Sequence, residues 1–139
     1  MWIVRRTDIG RLAYGRLVRD SVIAPLLPGV ALPLDIPDSA AIRRRVLAEC
    51  VPAGCQATGM AALWAHGVGE RPAVIDIRCP VGRHVRAWTA PVPVVFHGVG
   101  IAAPHSPVAD VTTATADARR WPPAPGDAET VSTGGAWRP

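Results

Sequence analysis

The spacing of apolar residues changes along the chain, and each change predicts an element. Leu12, Leu17 and Val18, with Tyr14 on a neighbouring face, fall at helical spacing while Arg11, Arg16 and Arg19 project outward. Asp8 stands where it can cap such a helix. From Val22 to Leu32 the chain is apolar without helical spacing, and Pro28-Gly29 divides it into two predicted strands, the first sent to an edge by Pro25. Pro37-Asp38-Ser39 then opens a helix over residues 40 to 50, with Ile42, Val46 and Leu47 inward and the run Arg43, Arg44, Arg45 on the turn between them.

The densest signal lies in residues 51 to 67. Val51-Pro52-Ala53-Gly54 is a turn, Thr58 a candidate N-cap, and Met60, Leu63 and Trp64 share one helical face. The alanines at 61, 62 and 65 allow close packing, and Gly67 ends the helix because it tolerates positive φ. Alternation from Val74 to Cys79 predicts a strand, and residues 83 to 88 alternate again as its antiparallel partner. Residues 91 to 97 form a further, proline-bearing strand, and a helix runs from residue 105 or 106 to 121 with Val108, Val111 and Thr115 on one side. Beyond Pro122 no period survives, and a mobile tail is expected.

These elements predict an α+β protein. A partial winged-helix-like helix and hairpin (residues 1–36) joins a small α/β core (37–121) of two to three helices on a mostly antiparallel sheet, followed by a disordered tail (122–139). A length of 139 residues suits one modest core, which Val, Leu, Ile and Ala must fill because aromatics make up only 5% of the chain. No apolar run reaches the roughly 18 to 20 residues of a membrane-spanning helix, and the opening apolar stretch is too short for a signal peptide. A cytoplasmic location is expected, with Cys50, Cys55 and Cys79 reduced and mostly buried. Their spacing lacks a CxxC pair and, even with His84 added, fits a zinc site poorly, so neither metal nor cofactor is expected.

All fifteen basic residues are arginine, which high-GC codon usage alone would produce. Their placement says more: residues 1 to 50 hold eight Arg against five acids, and residues 101 to 139 three against four. An early surplus of this kind suits a polyanion, nucleic acid first, or else a solvated surface. Catalysis is not expected. His66 has no Ser or Cys in a recognisable catalytic motif, and suits the last carbonyls of its helix better; no paired carboxylates line one face, and Asp110 reads as a ligand for backbone or arginine. Gly67-Val68-Gly69 lacks the third glycine of a dinucleotide loop and precedes a strand, the wrong order.

Three stretches together resemble a known family. VPAGCQATGMAALWAHGVGERPAVIDIRCPVGR is similar to the core signature of AbiEi-type antitoxins, the transcription-regulating partners in type IV toxin–antitoxin systems, with Thr58, Ala62, Trp64, His66 and Gly67 at matching places and Cys79 to Arg83 at the following turn. GVGIAAPHSPVADV matches a second signature through Gly98, Val99, Ile101, Pro104, Val108, Asp110 and Val111, although Ser106-Pro107 replaces the usual Arg-Thr. The opening, RTDIGRLAYGRLVRDSVIAPLLPGVALP, is like the family's last helix and wing but lacks the wing's arginines. The resemblance spans residues 5 to 121 and implies a truncated relative: a regulator of double-stranded DNA with a nucleotidyltransferase-like toxin as partner. Arg11, Arg16 and Arg19 would meet the DNA, with Arg43, Arg44 and Arg45 in support, while Thr58, Trp64, His66, Gly67, Pro104 and Asp110 form the structural signature. The alternative is an interaction module without DNA binding, docking a toxin or a second copy through Trp88 and Trp121.

Overall fold

The structure is a computed structural model and describes residues 2–81, 92–100 and 104–122, together with the backbone of 136–138. The chain begins with β1 (Val4–Arg5), α1 (Arg6–Ile9), α2 (Arg11–Arg19), β2 (Ile23–Leu27) and β3 (Val30–Pro33). These strands form an antiparallel sheet in the order β1-β3-β2. Asp8 does not cap the arginine helix. Gly10, at φ +87°, separates two helices there, and Asp8 lies within α1, 3.6 Å from Arg5. The Pro28-Gly29 break and the edge position of β2 agree with expectation, and a bulge between Pro25 and Leu27 bends that edge.

Alternation along β3 divides the packing. Ala31, with Ile23, faces Tyr14, Leu17 and Val18 of α2, whereas Val30 and Leu32 enter the main core with Val46 and Leu47 of α3 (Ala40–Glu49). The first 36 residues and the remainder therefore share one continuous hydrophobic cluster, and the ion pair between Arg5 and Glu49 at 2.6 Å ties β1 to α3. Ser39 caps α3 as its sequence suggests, accepting from the Ile42 amide at 3.3 Å.

After α3 come β4 (Gln56–Thr58), α4 (Gly59–Ala65), β5 (Ile75–Pro80), β6 (Val94–Val99), α5 (Val111–Arg120) and β7 (Ala136–Arg138). The second sheet has the order β4-β5-β6-β7. Its β4–β5 pair is antiparallel, whereas β5–β6 and β6–β7 run parallel. Three of the five pairings among the described residues are antiparallel, and the architecture is α+β. The antiparallel partner expected over residues 83 to 88 lies outside the described residues. So does most of the tail, but β7 corrects the expectation that residues 122 to 139 lack any ordered element.

Helix α4 is enclosed on several sides. Ala61, Ala62, Trp64 and Ala65 are all buried, the indole at 3% exposure. Met60, expected beside Trp64, is instead 39% exposed, because the small alanines let neighbouring elements close on the rest of the helix. Its end follows the sequence reading: Gly67 takes φ +86°, its amide bonds to the Trp64 carbonyl at 3.0 Å, and the Val68 amide reaches the Leu63 carbonyl at 2.9 Å.

Helix α5 starts at Val111, later than expected, so Pro107 precedes it without conflict. Its inward residues are Ala114 and Asp117, while Val111 is 44% exposed and Val108 is buried ahead of the helix. Residues 107 to 109 lie along the free edge of β4: the Ala57 amide donates to the Pro107 carbonyl and the Ala109 amide to the Ala57 carbonyl, each at 2.8 Å.

The cysteines correct the reduced-thiol expectation. Register places Cys55 opposite Cys79 across the β4–β5 pair, and the two are joined by a disulfide with Cα atoms 4.6 Å apart. Cys50 is the free thiol, and burial pushes it up to about 12.

Candidate nucleic-acid interface

The α2 helix presents its polar side to solvent because Tyr14, Leu17 and Val18 commit the opposite side to the first sheet. Leu12, Arg16 and Arg19, four and then three residues apart, form the outward stripe, with Arg11 at its rim. Arg11, Arg16 and Arg19 are exposed, and none has an ion-pair partner among the described residues. Arg16 and Arg19 also lie in the last turn, where the helix dipole favours positive charge.

The second arginine group does not behave as one surface. Arg43 holds Asp38 through two bonds of 2.7 Å, donates to the Trp64 carbonyl at 3.2 Å and covers that indole, its guanidinium 5.0 Å from the ring centroid. This bonding holds the Asp38 carboxyl below its ordinary range. The Arg43 side chain is thus engaged within the fold, between Asp38 and Trp64. Arg45 lies 5.8 Å from the centroid of Trp2, and only half-buried Arg44 is left without a charged or aromatic partner among the described residues.

Two basic residues passed over in the sequence belong near α2 instead. Arg6 and Arg71 are both exposed, and their charges act on the Tyr14 hydroxyl, opposing the upward push of its burial. Arg71 sits in the connection between α4 and β5, far along the chain from α2, and no local pattern links the two.

The signature residues serve structure. Thr58 does not cap α4; its hydroxyl donates to Asp117 Oδ2 at 2.7 Å, in a fully buried contact. His66 reaches past its own helix, its Nε2 2.8 Å from the Ala109 carbonyl oxygen. Asp110 caps α5 by accepting from the Thr113 amide at 2.7 Å, which holds its carboxyl below the ordinary range. Pro104 is half-buried ahead of that helix.

A polar layer missed by the sequence reading lies between α5 and the second sheet. Thr58 pairs in register with Asp76, and Arg78 with His97, so these four side chains share one face. His97 Nε2 lies 2.7 Å from Asp76 Oδ1, and its ring stacks on Trp121 with centroids 3.8 Å apart. Asp117 Oδ2 forms an ion pair with Arg78, whose Nε lies 3.3 Å away without the alignment of a hydrogen bond. The alternation Ile75, Asp76, Ile77, Arg78 was the available signal: its polar positions are half-buried, Asp76 against His97 and Arg78 against Asp117 of α5. Among the described residues no group of His, Cys, Asp and Glu is arranged to hold a metal ion. Trp121 is taken up by His97 and by Arg120, 5.1 Å from its ring, so it is not a free docking anchor; Trp88 lies outside the described residues.

No protein-family model matches the chain, and a search of curated proteins also finds no match. No helix among the described residues is long and apolar enough to cross a membrane.

Proposed function

We propose that the protein is a DNA-binding regulator of antitoxin type, with α2 as its recognition helix and no catalysis of its own. The observation that carries this reading is the outward stripe of α2, where Arg16 and Arg19, flanked by Arg11, have no carboxylate partner among the described residues. The order strand, short helix, helix and hairpin, with β3 central in its sheet, supports a winged-helix-like arrangement. The β2–β3 turn lies close to the body, since the Arg6 amide bonds to the Gly29 carbonyl at 2.8 Å, so α2 and not the turn meets the groove. The resemblance to AbiEi-type antitoxins adds a nucleotidyltransferase-like toxin as the protein partner.

Binding of a duplex from the chain's own promoter should weaken linearly in log[salt]. Replacing Arg16 and Arg19 together by Ala should lower that slope by about two, at roughly 0.9 for each phosphate that is no longer neutralised. An unchanged slope removes α2 from the interface. A second reading, a protein-docking module, is favoured by one observation: Leu12, on the same stripe, is 87% exposed. Under that reading Leu12→Ser abolishes self-association or toxin binding in size exclusion while the wild type shows no DNA affinity.

A further inference from the structure

Leu12 is the most exposed large apolar side chain among the described residues. A single exposed leucine needs no explanation by itself, but the surroundings of this one give it a direction. At 3.6 residues per turn, Arg16 stands about 40° round α2 from Leu12 on one side and Arg11 about 100° round on the other. The positions beside Leu12 carry little bulk: Ala13 lies on the Arg16 side, and Gly15 lies on the Arg11 side, where even an added Cβ would meet nothing within 4 Å. Tyr14, Leu17 and Val18 are all committed to the opposite, buried side. Leu12 therefore stands alone at the middle of the outward face, with a guanidinium to either side that has no carboxylate partner among the described residues. Of the acids closest along the chain, Asp8 faces Arg5 at 3.6 Å and Asp20 closes the far end of the helix.

We infer that Leu12 is a specificity-determining residue: it packs on the C5-methyl of a thymine in the major groove, while Arg11 and Arg16 hold phosphates of the two strands that border the groove. This rests on the reading of α2 as a recognition helix. A helix with its side chains is roughly 10 to 12 Å across and the major groove about 12 Å wide, so the centre of an inserted face meets base edges and its two sides meet the backbones. Leu12 is the second residue of α2, and helix-turn-helix proteins contact base edges with the N-terminal part of the recognition helix. Leucine has neither donor nor acceptor, and the thymine methyl is the apolar group that the groove displays to it. Phosphate contacts from the flanking arginines position a duplex without reading its sequence, and the apolar residue between them supplies the choice.

The test is a cycle on the full chain with two probes: the promoter duplex, and the same duplex carrying deoxyuridine in place of every thymidine, which removes the methyl groups and no hydrogen-bonding group. Wild type should bind the deoxyuridine duplex about fourfold more weakly, the effect of one methyl no longer buried. Leu12→Ala should lose the same factor on the thymidine duplex, should match wild type on the deoxyuridine duplex, and should leave the salt slope unchanged because no phosphate contact is removed. The side chain is exposed at 87%, so the variant should melt with the wild type, and a loss of binding then reports the contact and not the fold. If both proteins bind both duplexes equally and with a steep salt slope, or if the two losses simply add, Leu12 does not touch a thymine methyl and the DNA reading stands. If neither duplex binds at any salt concentration, the DNA reading falls and this inference falls with it.

Discussion

Replacing Thr58 by Val tests the polar layer beneath α5 most directly, because valine keeps the volume and removes only the hydroxyl. Thr58 is fully buried and its donor bond to Asp117 Oδ2 measures 2.7 Å. A hydrogen bond to a charged acceptor contributes about 1.5 to 3 kcal/mol, so the variant should lose about 2 kcal/mol. Asp117→Ala should cost more, about 3 to 5 kcal/mol, since it strands both the Thr58 hydroxyl and Arg78, whose Nε is buried with Asp117 as its ion-pair partner. With Asp117 already gone, the hydroxyl has nothing to donate to, and the double variant should fall short of the sum of the singles by about 1.5 kcal/mol or more. Urea titration of the four proteins gives these values from the midpoints, provided the m-values agree. A loss below about 0.5 kcal/mol for Thr58→Val, or singles that simply add, would refute the argument that this bond fastens α5 to the sheet.

Two other expectations follow from the core. Trp64→Ala should destabilise by about 3 to 5 kcal/mol in the same titration, because the indole is buried and also carries the guanidinium of Arg43; a change near zero would contradict its position. Thiol titration of the unfolded, unreduced chain should find Cys50 alone and, after reduction, all three cysteines, and reduction should lower stability by about 3.5 kcal/mol for a sequence separation of 24 between the joined cysteines. Three reactive thiols before reduction would place Cys55 and Cys79 as free neighbours instead.

Local chemistry made much of the fold readable. The Pro28-Gly29 turn, the Ser39 cap and the Gly67 stop each depend on a few adjacent residues, and each is found where the sequence puts it. What was not readable depends on partners far along the chain. Thr58 has the chemistry of an N-cap, yet an acceptor 59 residues away takes its hydroxyl. Three-residue β4 is too short to show a period, and it exists because β5 pairs with one edge and residues 107 to 109 with the other. Parallel pairing of β5 with β6 likewise leaves no mark on alternation, which is the same for either direction.

The arginines show the same division at the level of function. Arg5, Arg43 and Arg78 are matched to Glu49, Asp38 and Asp117, and Arg45 and Arg120 lie over indole rings. All of these except Arg120, which lies over its chain neighbour, fasten one part of the chain to another, and a run such as Arg43 to Arg45 gives no hint in sequence of which member will be consumed. Those left over among the described residues are Arg6, Arg11, Arg16, Arg19, Arg44, Arg71 and Arg119. Four of these seven lie within the first twenty residues, on α1 and α2, and Arg71 acts on the same helix through Tyr14. The net charge of +4 is therefore not spread evenly. Acids are spent where the core needs anchoring, and the uncompensated cations gather around one short helix whose apolar side is already occupied. An anion approaching that helix would meet charge that no internal carboxylate has to release first, and the proposed DNA contact relies on that property.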